Sequence, residues 1–454
     1  MKKTLFLILL LIMFMDQAFT QNKEWSLEEC IRYALDNNIQ IRQQGIQTKY
    51  MKNALDLAKF SMLPTISGSA SHNYSFGRAL DQTTYEYTEN EKILSENFYL
   101  GGNLTLFSGL QKYNTIKRSR FDLLASEEDL KNITDNVALN VALYYLQILL
   151  NKEIVAATQS QLDITMQQIE KTRKLVDAGS VARGNLLQIE AQAAQEELQL
   201  INIKNQLEAS VLNITQLLEL PSPDGFEVIV PEIPLDTNAV VSGSVSDIFN
   251  TAVLTRPEVK SSEFRLQSSE YDLKIAKGGR SPRLTMSNSF STGYSDIRKK
   301  IVPTIPPSYE NYPFADQIND NINYGVGFSL NIPILNGWQV NKNIANSKLA
   351  VENSKYTLEG SRKQLYKNIQ QAYADASAAL KRYAASVKAV TSTEESFRYT
   401  EQRFNVGMIT PIDYNASKTQ LLNAQSDMSQ AKYEYIFKTK VLDFYRGLPL
   451  NLNQ

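Results

Sequence analysis

Cysteine and histidine are almost absent from this 454-residue chain, since Cys30 and His72 occur once each. A single cysteine excludes an intrachain disulfide and a multi-thiolate metal site. A single histidine excludes His-based metal clusters and Ser-His-Asp triads. Because Glu28 and Glu29 precede Cys30, where a lipid-attachment site would need small residues, we expect Cys30 to be a buried helix residue. The sequence therefore predicts no metal site and no bound cofactor.

Charge of one sign and long apolar runs are also scarce. The formal net charge is −1, and no basic stripe of the kind that binds nucleic acid is present. The one apolar run follows Lys2 and Lys3, spans residues 5–15, and predicts a secretory signal peptide at residues 1–20. No later segment is expected to form a transmembrane helix. An exported chain without such a helix is periplasmic, secreted or a β-barrel protein.

Helix breakers are missing from four long stretches of the chain. All 14 prolines lie outside them, and of the 19 glycines only Gly360 lies inside. Apolar residues recur there at helical spacing, as in Leu123, Leu130 and Val137. The longest stretch would form a rod of about 100 Å, which must bury its apolar stripe against other helices. We therefore predict long helical hairpins from residues 110–178, 185–220, 338–406 and 412–446.

The chain repeats itself. Gly179 and Gly407 lie 228 positions apart, and the phrase ending in Gly109 resembles the phrase ending in Gly337 at the same offset. Two copies of one unit are a strong signal of an internal structural repeat. We predict a first repeat at 21–220, a linker at 221–245 that contains four prolines, and a second repeat at 246–454.

Each repeat contains one non-helical insert with two predicted strands. The clearest runs from Tyr324 to Ile332, where large apolar residues alternate with Gly, Ser and Asn. That alternation is typical of a strand with one apolar face and one small or polar face. The predicted strands are 65–76 and 97–107, separated by a polar loop at 78–96, and 283–294 and 321–335, separated by a longer loop that contains Pro303, Pro306, Pro307 and Pro313.

This order of elements resembles the TolC family of bacterial outer-membrane efflux channels over nearly all of the mature chain. The resemblance rests on the strand-to-helix phrases at Gly109 and Gly337 and on the turn phrase from Arg403 to Tyr414. It implies a mixed α+β membrane protein, with long α-helical hairpins forming an α-barrel and four transmembrane β-strands per chain. Three chains would then complete a twelve-stranded barrel, since an open sheet edge in lipid is costly.

The resemblance also implies function and partners. It implies a homotrimeric exit duct of a tripartite efflux or type I secretion system, in contact with outer-membrane lipid, a periplasmic adaptor and an inner-membrane transporter. The strand alternation predicts that Tyr324, Val326, Phe328 and Leu330 face lipid, and that Gly325, Gly327 and Ser329 face the lumen.

The two turns are the predicted periplasmic tip. The residues expected to dock the adaptor are Gly179 and Gly407 together with three apolar neighbours that we expect to be exposed, Val181, Met408 and Ile409. Gly407 alone is equally explained as the left-handed residue that ends a helix.

The predicted periplasmic aperture involves Asp413, Arg183 and Phe404. Thr410, Pro411 and Asp413 have the layout of a helix start, so a purely capping role explains Asp413. The functional alternative places three copies of Asp413 around one axis, with Arg183 as an ion-pair partner. At the first turn, Val176, Gly184 and Asn185 depart from the family's pattern, so the closing contacts of relatives do not carry over.

Other classes fit the chain less well. A secreted or periplasmic coiled-coil structural protein would explain the rods but not the strands, and an adaptor would carry one hairpin rather than two. An enzyme would need a phosphate loop, metal ligands or a histidine beside a nucleophile, and the sequence shows none of them.

Overall fold

The computed structural model describes residues 24–81, 83, 85–89, 91–231, 235 and 243–450. The expected signal peptide at 1–20 lies outside the described residues. Contacts divide the chain into two compact units, one from the segments up to Gln47, Ser126–Ser261 and Glu359 onwards, and the other from Thr48–Ala125 and Ser262–Leu358.

The helices are α1 (Leu27–Asn37), α2 (Ile39–Phe60), α3 (Gln111–Asp177), α4 (Arg183–Leu217), α5 (Val245–Thr255), α6 (Pro257–Gly278), α7 (Phe314–Asp320), α8 (Gln339–Asn405) and α9 (Pro411–Tyr445). The strands are β1 (Glu24–Trp25), β2 (Thr65–Gly77), β3 (Glu91–Ser108), β4 (Glu227–Val228), β5 (Arg283–Ser295), β6 (Lys299–Val302), β7 (Ser308–Asn311) and β8 (Asn323–Asn331).

The internal repeat is visible in the helix lengths. The long helices α3 and α8 contain 67 residues each, and the returning helices α4 and α9 contain 35 each. All four boundaries of one hairpin lie 228 positions from those of the other, as from Gln111 to Gln339. We call α3 with α4 the first hairpin and α8 with α9 the second hairpin.

The long helices begin and end one residue inside the predicted stretches 110–178 and 338–406. Leu110 and Trp338 have φ of +61° and +64°, which excludes them from a right-handed helix. The returning helices begin at Arg183 and Pro411 rather than at 185 and 412, and they end at Leu217 and Tyr445 rather than at 220 and 446. Local hydrogen bonds, which apolar spacing does not report, set these ends.

Four strands form one antiparallel sheet in the order β2-β3-β5-β8. β3 begins at Glu91 rather than at 97, because its ladder with β2 continues to the pair Gly77–Glu91. Backbone pairing needs no apolar side chains, so the polar residues before 97 extend the strand and shorten the predicted 78–96 loop. β8 covers Asn323–Asn331 rather than 321–335, and Pro333, which has no N–H, follows its end.

The register of the sheet separates two chemically different faces. Directly paired residues share a face, so Phe328 lies beside Met286, and Leu330 beside Leu284. On the opposite face Gly325 pairs with Ser289 and Gly327 with Ser287. Pairing extends both faces across the sheet. The apolar face includes Leu284, Met286, Phe290, Leu100, Phe98 and Ala70, and the face of small and polar residues includes Thr285, Ser287, Ser289, Asn103, Gly101, Ser67 and Ser69.

The predicted proline-rich loop of the second insert is partly structured. β6 and β7 form a hairpin, and α7 follows it. Gln317 of α7 is fully buried, accepts a hydrogen bond from the Ser295 N–H at 3.1 Å and donates to the Ser295 carbonyl at 2.9 Å. α7 thus satisfies backbone groups of β5 beyond the start of β8, which is a common way to protect a sheet edge.

The main core lies in the unit that contains Ser126–Ser261. Val141, Tyr145 and Leu149 of α3 are buried in one cluster with Cys30 and Ala34 of α1. Cys30 is therefore the buried helix residue that the sequence predicted. The predicted linker at 221–245 also contains an element, since β4 pairs in parallel with β1.

One helix bears on the expectation that no segment after the signal peptide forms a transmembrane helix. Among the described residues α3 contains an 18-residue window that is long and apolar enough to span a membrane, and 44% of that window is buried. The apolar side chains of α3 that pack into the main core account for this composition, because a core helix passes the same test of length and apolarity.

Candidate functional site: the hairpin tips

The turns of both hairpins have the same pattern of backbone hydrogen bonds. At the first tip the Gly179 N–H donates to the Val176 carbonyl and the Ser180 N–H to the Leu175 carbonyl, both at 2.9 Å. At the second tip Gly407 and Met408 make the corresponding bonds to Phe404 and Arg403, also at 2.9 Å. Gly179 and Gly407 have φ of +72° and +75°. This is the Schellman arrangement, which needs a left-handed residue and so favours glycine.

The helices that return from the two tips start differently. At α9 the Thr410 hydroxyl accepts from the Asp413 N–H at 3.2 Å, and the Asp413 carboxylate accepts from the Thr410 hydroxyl at 2.7 Å. Pro411 occupies the first turn. At α4 the N-cap is Ala182, which makes no side-chain hydrogen bond. The second tip is therefore better anchored than the first.

The capping role of Asp413 is thus present, as the helix-start pattern predicted. Asp413 is exposed on the described chain, as is Arg183. Within the residues that the structure describes, the Asp413 carboxylate bonds to Thr410 and forms no ion pair with Arg183.

The apolar side chains at the tips differ in exposure. Met408 is 72% exposed, whereas Val181 and Ile409 are only partly exposed, against the expectation that all three would be exposed. Val181 lies in the turn between α3 and α4, and Ile409 lies in the turn between α8 and α9. Val406 and Ile412 are 68% and 59% exposed and were not predicted, because they sit at the helix boundaries next to the turn.

Phe404 lies between the two helices of the second hairpin. Its ring stacks on Tyr414 with centroids 4.5 Å apart, and Phe397 contacts the same tyrosine at 5.4 Å. Burial raises the pKa of Tyr414 to about 12. Phe404 therefore packs within the hairpin of its own chain, and this contact is structural.

A cavity of about 620 Å³ lies at the tips. The first hairpin contributes residues of α4 to its wall, and the second hairpin contributes its turn and the start of α9. The sequence-predicted residues Gly407, Met408, Ile409 and Asp413 all line it, but Gly179, Val181 and Arg183 do not. The lining residues that the sequence did not predict include Asn185, Gln188 and Arg403.

A buried polar cluster links the two hairpins beyond the tips. Lys418 of α9 is 2% exposed, and its ammonium donates to the Gln161 carbonyl at 2.8 Å and to the Thr165 hydroxyl at 2.6 Å. The carboxylate of Glu196 in α4 lies 4.0 Å from the ammonium and 2.5 Å from the Thr165 hydroxyl. Burial lowers the pKa of Lys418 to about 8, although Glu196 opposes the shift. No sequence signal marks this lysine, because a lysine on an amphipathic helix usually lies in water.

The chain belongs to the outer membrane efflux protein family. The family's model matches residues 30–219 and 248–443, which are the two repeats without the segment between them. The protein is therefore an outer-membrane protein that extends into the periplasm, and its fold is the mixed α+β fold of this family. The family is one of channels and not of enzymes.

Curated relatives are distant. The outer membrane efflux protein BepC of Brucella suis biovar 1 (strain 1330) is 21% identical over 315 residues, which cover 69% of this chain and 62% of BepC. Nodulation protein T of Rhizobium leguminosarum bv. viciae is 20% identical over 333 residues, which cover 71% of this chain and 61% of that protein. The chain thus spans about three fifths of the length of these relatives.

Solved structures agree on the fold. A crystal structure of CusC has a TM-score of 0.78 at 16% identity and covers 95% of this chain and 96% of its own. The Campylobacter jejuni CmeC outer membrane channel has a TM-score of 0.77 at 17% identity, with 96% and 87% covered. The open state of the Neisseria gonorrhoeae MtrE channel has a TM-score of 0.72 at 17% identity, with 93% and 89% covered. At such identities the likeness establishes the fold alone.

Proposed function

We propose that this protein is the exit duct of a tripartite efflux or type I secretion system and that it works as a homotrimer. The duct passes small molecules or proteins from an inner-membrane transporter to the exterior. It is not an enzyme, and its chemistry is that of a passive conduit. The observation that carries the proposal is the four-stranded sheet with one apolar face, one small and polar face, and two edge strands.

The sheet supports a trimer for energetic reasons. β2 pairs only with β3, and β8 pairs only with β5, so each edge presents backbone N–H and C=O groups without a strand partner in the described chain. In hydrocarbon each unsatisfied group costs several kcal/mol. Three copies pair β8 of one chain with β2 of the next and close a twelve-stranded barrel. The apolar face then meets lipid, and the small residues leave an open lumen.

The hairpin tips form the periplasmic end and dock a periplasmic adaptor. Met408, Val406 and Ile412 support this, since exposed apolar side chains clustered at a turn are typical of a protein contact. Val181 and Ile409 flank the same surface, and Gly179 and Gly407 shape the two turns.

The aperture lies at the same end in this proposal. Three copies of Asp413 converge on the trimer axis, and Arg183 of a neighbouring chain pairs with Asp413. Phe404 supports this aperture from behind by holding Tyr414 and the start of α9 in place. An exposed ion pair of this kind contributes about 0–1 kcal/mol, which biases a gate without locking it.

Cell fractionation followed by bilayer recording tests the function. We expect the protein in the outer membrane as a heat-modifiable trimer that conducts ions in planar bilayers. Deleting the gene should raise susceptibility to dyes, detergents and antibiotics, or remove proteins from the secreted fraction. A soluble monomer that forms no conducting species would contradict the proposal.

A further inference from the structure

The two hairpins carry corresponding grooves, of which one is filled and the other is open. The first groove lies between α3 and α4 and is formed by Gln161, Thr165 and Glu196, which are 9%, 0% and 3% exposed. Lys418 fills it and bonds to Gln161 and Thr165, as described above. Through this contact the second hairpin packs against the first hairpin of the same chain.

The second groove is found by moving 228 positions along the chain. Gln161, Thr165 and Glu196 correspond to Ala389, Thr393 and Ala424, which are all at least partly exposed. These three residues line a cavity of about 650 Å³ between α8 and α9, and the residues that share the lining are Arg382, Asn423, Asp427 and Gln420 among others. The described chain thus supplies an occupant for the first groove and none for the second.

The same offset identifies the side chain that corresponds to Lys418. It is Glu190 of α4, whose side chain is 39% exposed. Glu190 is 3.3 Å from Arg173 on the surface of the first hairpin, so it is not committed to a buried site. Because α4 and α9 have equal lengths and equivalent ends, Glu190 lies on the face of its helix that corresponds to the face bearing Lys418.

We infer that the second groove of one chain receives Glu190 from the first hairpin of a neighbouring copy. The inference rests on the proposed trimer, in which hairpins of the two kinds alternate around a ring. A closed ring with heterologous contacts repeats one geometry at each step. The contact between the second hairpin of one chain and the first hairpin of the next chain then resembles the contact between the first and second hairpins within one chain.

The charges of the two grooves fit their occupants. The first groove presents the Glu196 carboxylate to an ammonium. At the corresponding position the second groove has Ala424, which places no acid opposite an incoming Glu190. Arg382, which is held by Glu434 at 2.6 Å, and the amides of Gln420 and Asn423 supply donors, while Asp427 is the one acid in the lining. The two equivalent positions thus carry opposite charges, Lys418 in the second hairpin and Glu190 in the first. This difference disfavours the binding of either hairpin in the groove that receives the other.

A cysteine pair tests the contact in the full-length protein in the outer membrane. Cys30, which is buried, is first replaced in the variant Cys30→Ala. Glu190→Cys is combined with Thr393→Cys and treated with a short bis-maleimide. Because each chain bears both cysteines, we expect covalent trimers on denaturing gels.

Two matched pairs calibrate the result. Glu190→Cys with Thr400→Cys moves the second cysteine seven residues along α8, about 10 Å, and should give little covalent oligomer. Lys418→Cys with Thr165→Cys places the reagent in the filled groove and should link within one chain without forming oligomers. This second pair shows that the reagent spans a groove of this kind.

The outcomes separate this inference from the proposed function. The groove contact would be overturned, with the duct intact, if the variants form heat-modifiable, conducting trimers but the Thr393 pair gives only monomers on denaturing gels after crosslinking. Stronger crosslinking of the Thr400 pair than of the Thr393 pair would overturn it in the same way. Absence of any trimer or conductance in the Cys30→Ala parent would overturn both.

Discussion

At the scale of single residues, Asp413 has a demonstrated structural role and a proposed functional one. Its carboxylate completes a capping box with Thr410, which explains its position without any pore. The proposed aperture adds three carboxylates near one axis, a charge that attracts cations. The two roles make different predictions, because capping affects stability and an acidic ring affects ion preference.

We expect Asp413→Asn to reduce the cation preference of trimers in planar bilayers, and Arg183→Ser to raise their resting conductance. Thr410→Ala is the matched control, since it removes the cap at a cost of about 1 kcal/mol and keeps the charge. If Asp413→Asn and Thr410→Ala both lower only the melting temperature, Asp413 is a capping residue and the gate lies elsewhere.

Lys418 is a buried basic residue whose ionisation affects stability. Its pKa falls from 10.5 to about 8 because the interior disfavours the ammonium. Between these two values the unfolded chain binds more protons than the folded chain, so stability rises as the pH increases through this window. Below about pH 8 both states are protonated, and the buried charge lowers stability throughout.

The comparison protein for this effect is Lys418→Met/Glu196→Gln, in which neither buried charge remains. The parent should gain stability over this range and the variant should not. The unfolding free energy of the variant minus that of the parent should therefore fall by on the order of 3 kcal/mol between about pH 7 and pH 10.5. Circular dichroism melting of both proteins across that range measures the change. A difference that stays constant with pH would show that Lys418 does not titrate there.

At the scale of secondary-structure elements, β8 shows how alternation and pairing act together. Phe328 is 67% exposed on the described chain and lies beside Met286 on the apolar face, while Ser329 pairs with Thr285 on the opposite face. Neighbouring residues of one strand therefore face lipid and lumen in the proposed barrel.

We expect Phe328→Lys to destabilise insertion by about 2–4 kcal/mol if the position lies near the middle of the membrane. Ser329→Lys is the control, and it should insert normally while changing the conductance. The yield of heat-modifiable trimer and single-channel recording provide the two measurements. Normal assembly of Phe328→Lys would reverse the assignment of the two faces.

At the scale of the whole molecule, the proposed orientation places the tips in the periplasm and the loop between β6 and β7 outside the cell. Cysteines at Met408 and Val181 should therefore crosslink to an adaptor in living cells. A cysteine at Lys300, in β6, is the matched position near the other end of the sheet strands. Crosslinks to periplasmic proteins from Lys300 alone would invert the orientation.

The sequence by itself determined the elements whose causes are local. The absence of proline predicts the long helices. Gly407 predicts the end of a helix, because a helix commonly ends at a glycine in the left-handed conformation. The alternation from Tyr324 to Leu330 predicts a strand with two unlike faces, and the offset of 228 predicts two equivalent hairpins. These patterns span a few residues or repeat at one spacing, so they can be read without knowing any distant contact.

Only the tertiary structure decided what depends on residues far apart in the chain. The sheet order β2-β3-β5-β8 joins strands from both repeats, and the extra length of β3 comes from pairing with β2. Lys418 is buried because it meets Gln161 and Thr165, more than 250 positions earlier. A lysine's own sequence neighbours cannot show that it is buried, because the free energy of that site depends on partners that only folding brings together.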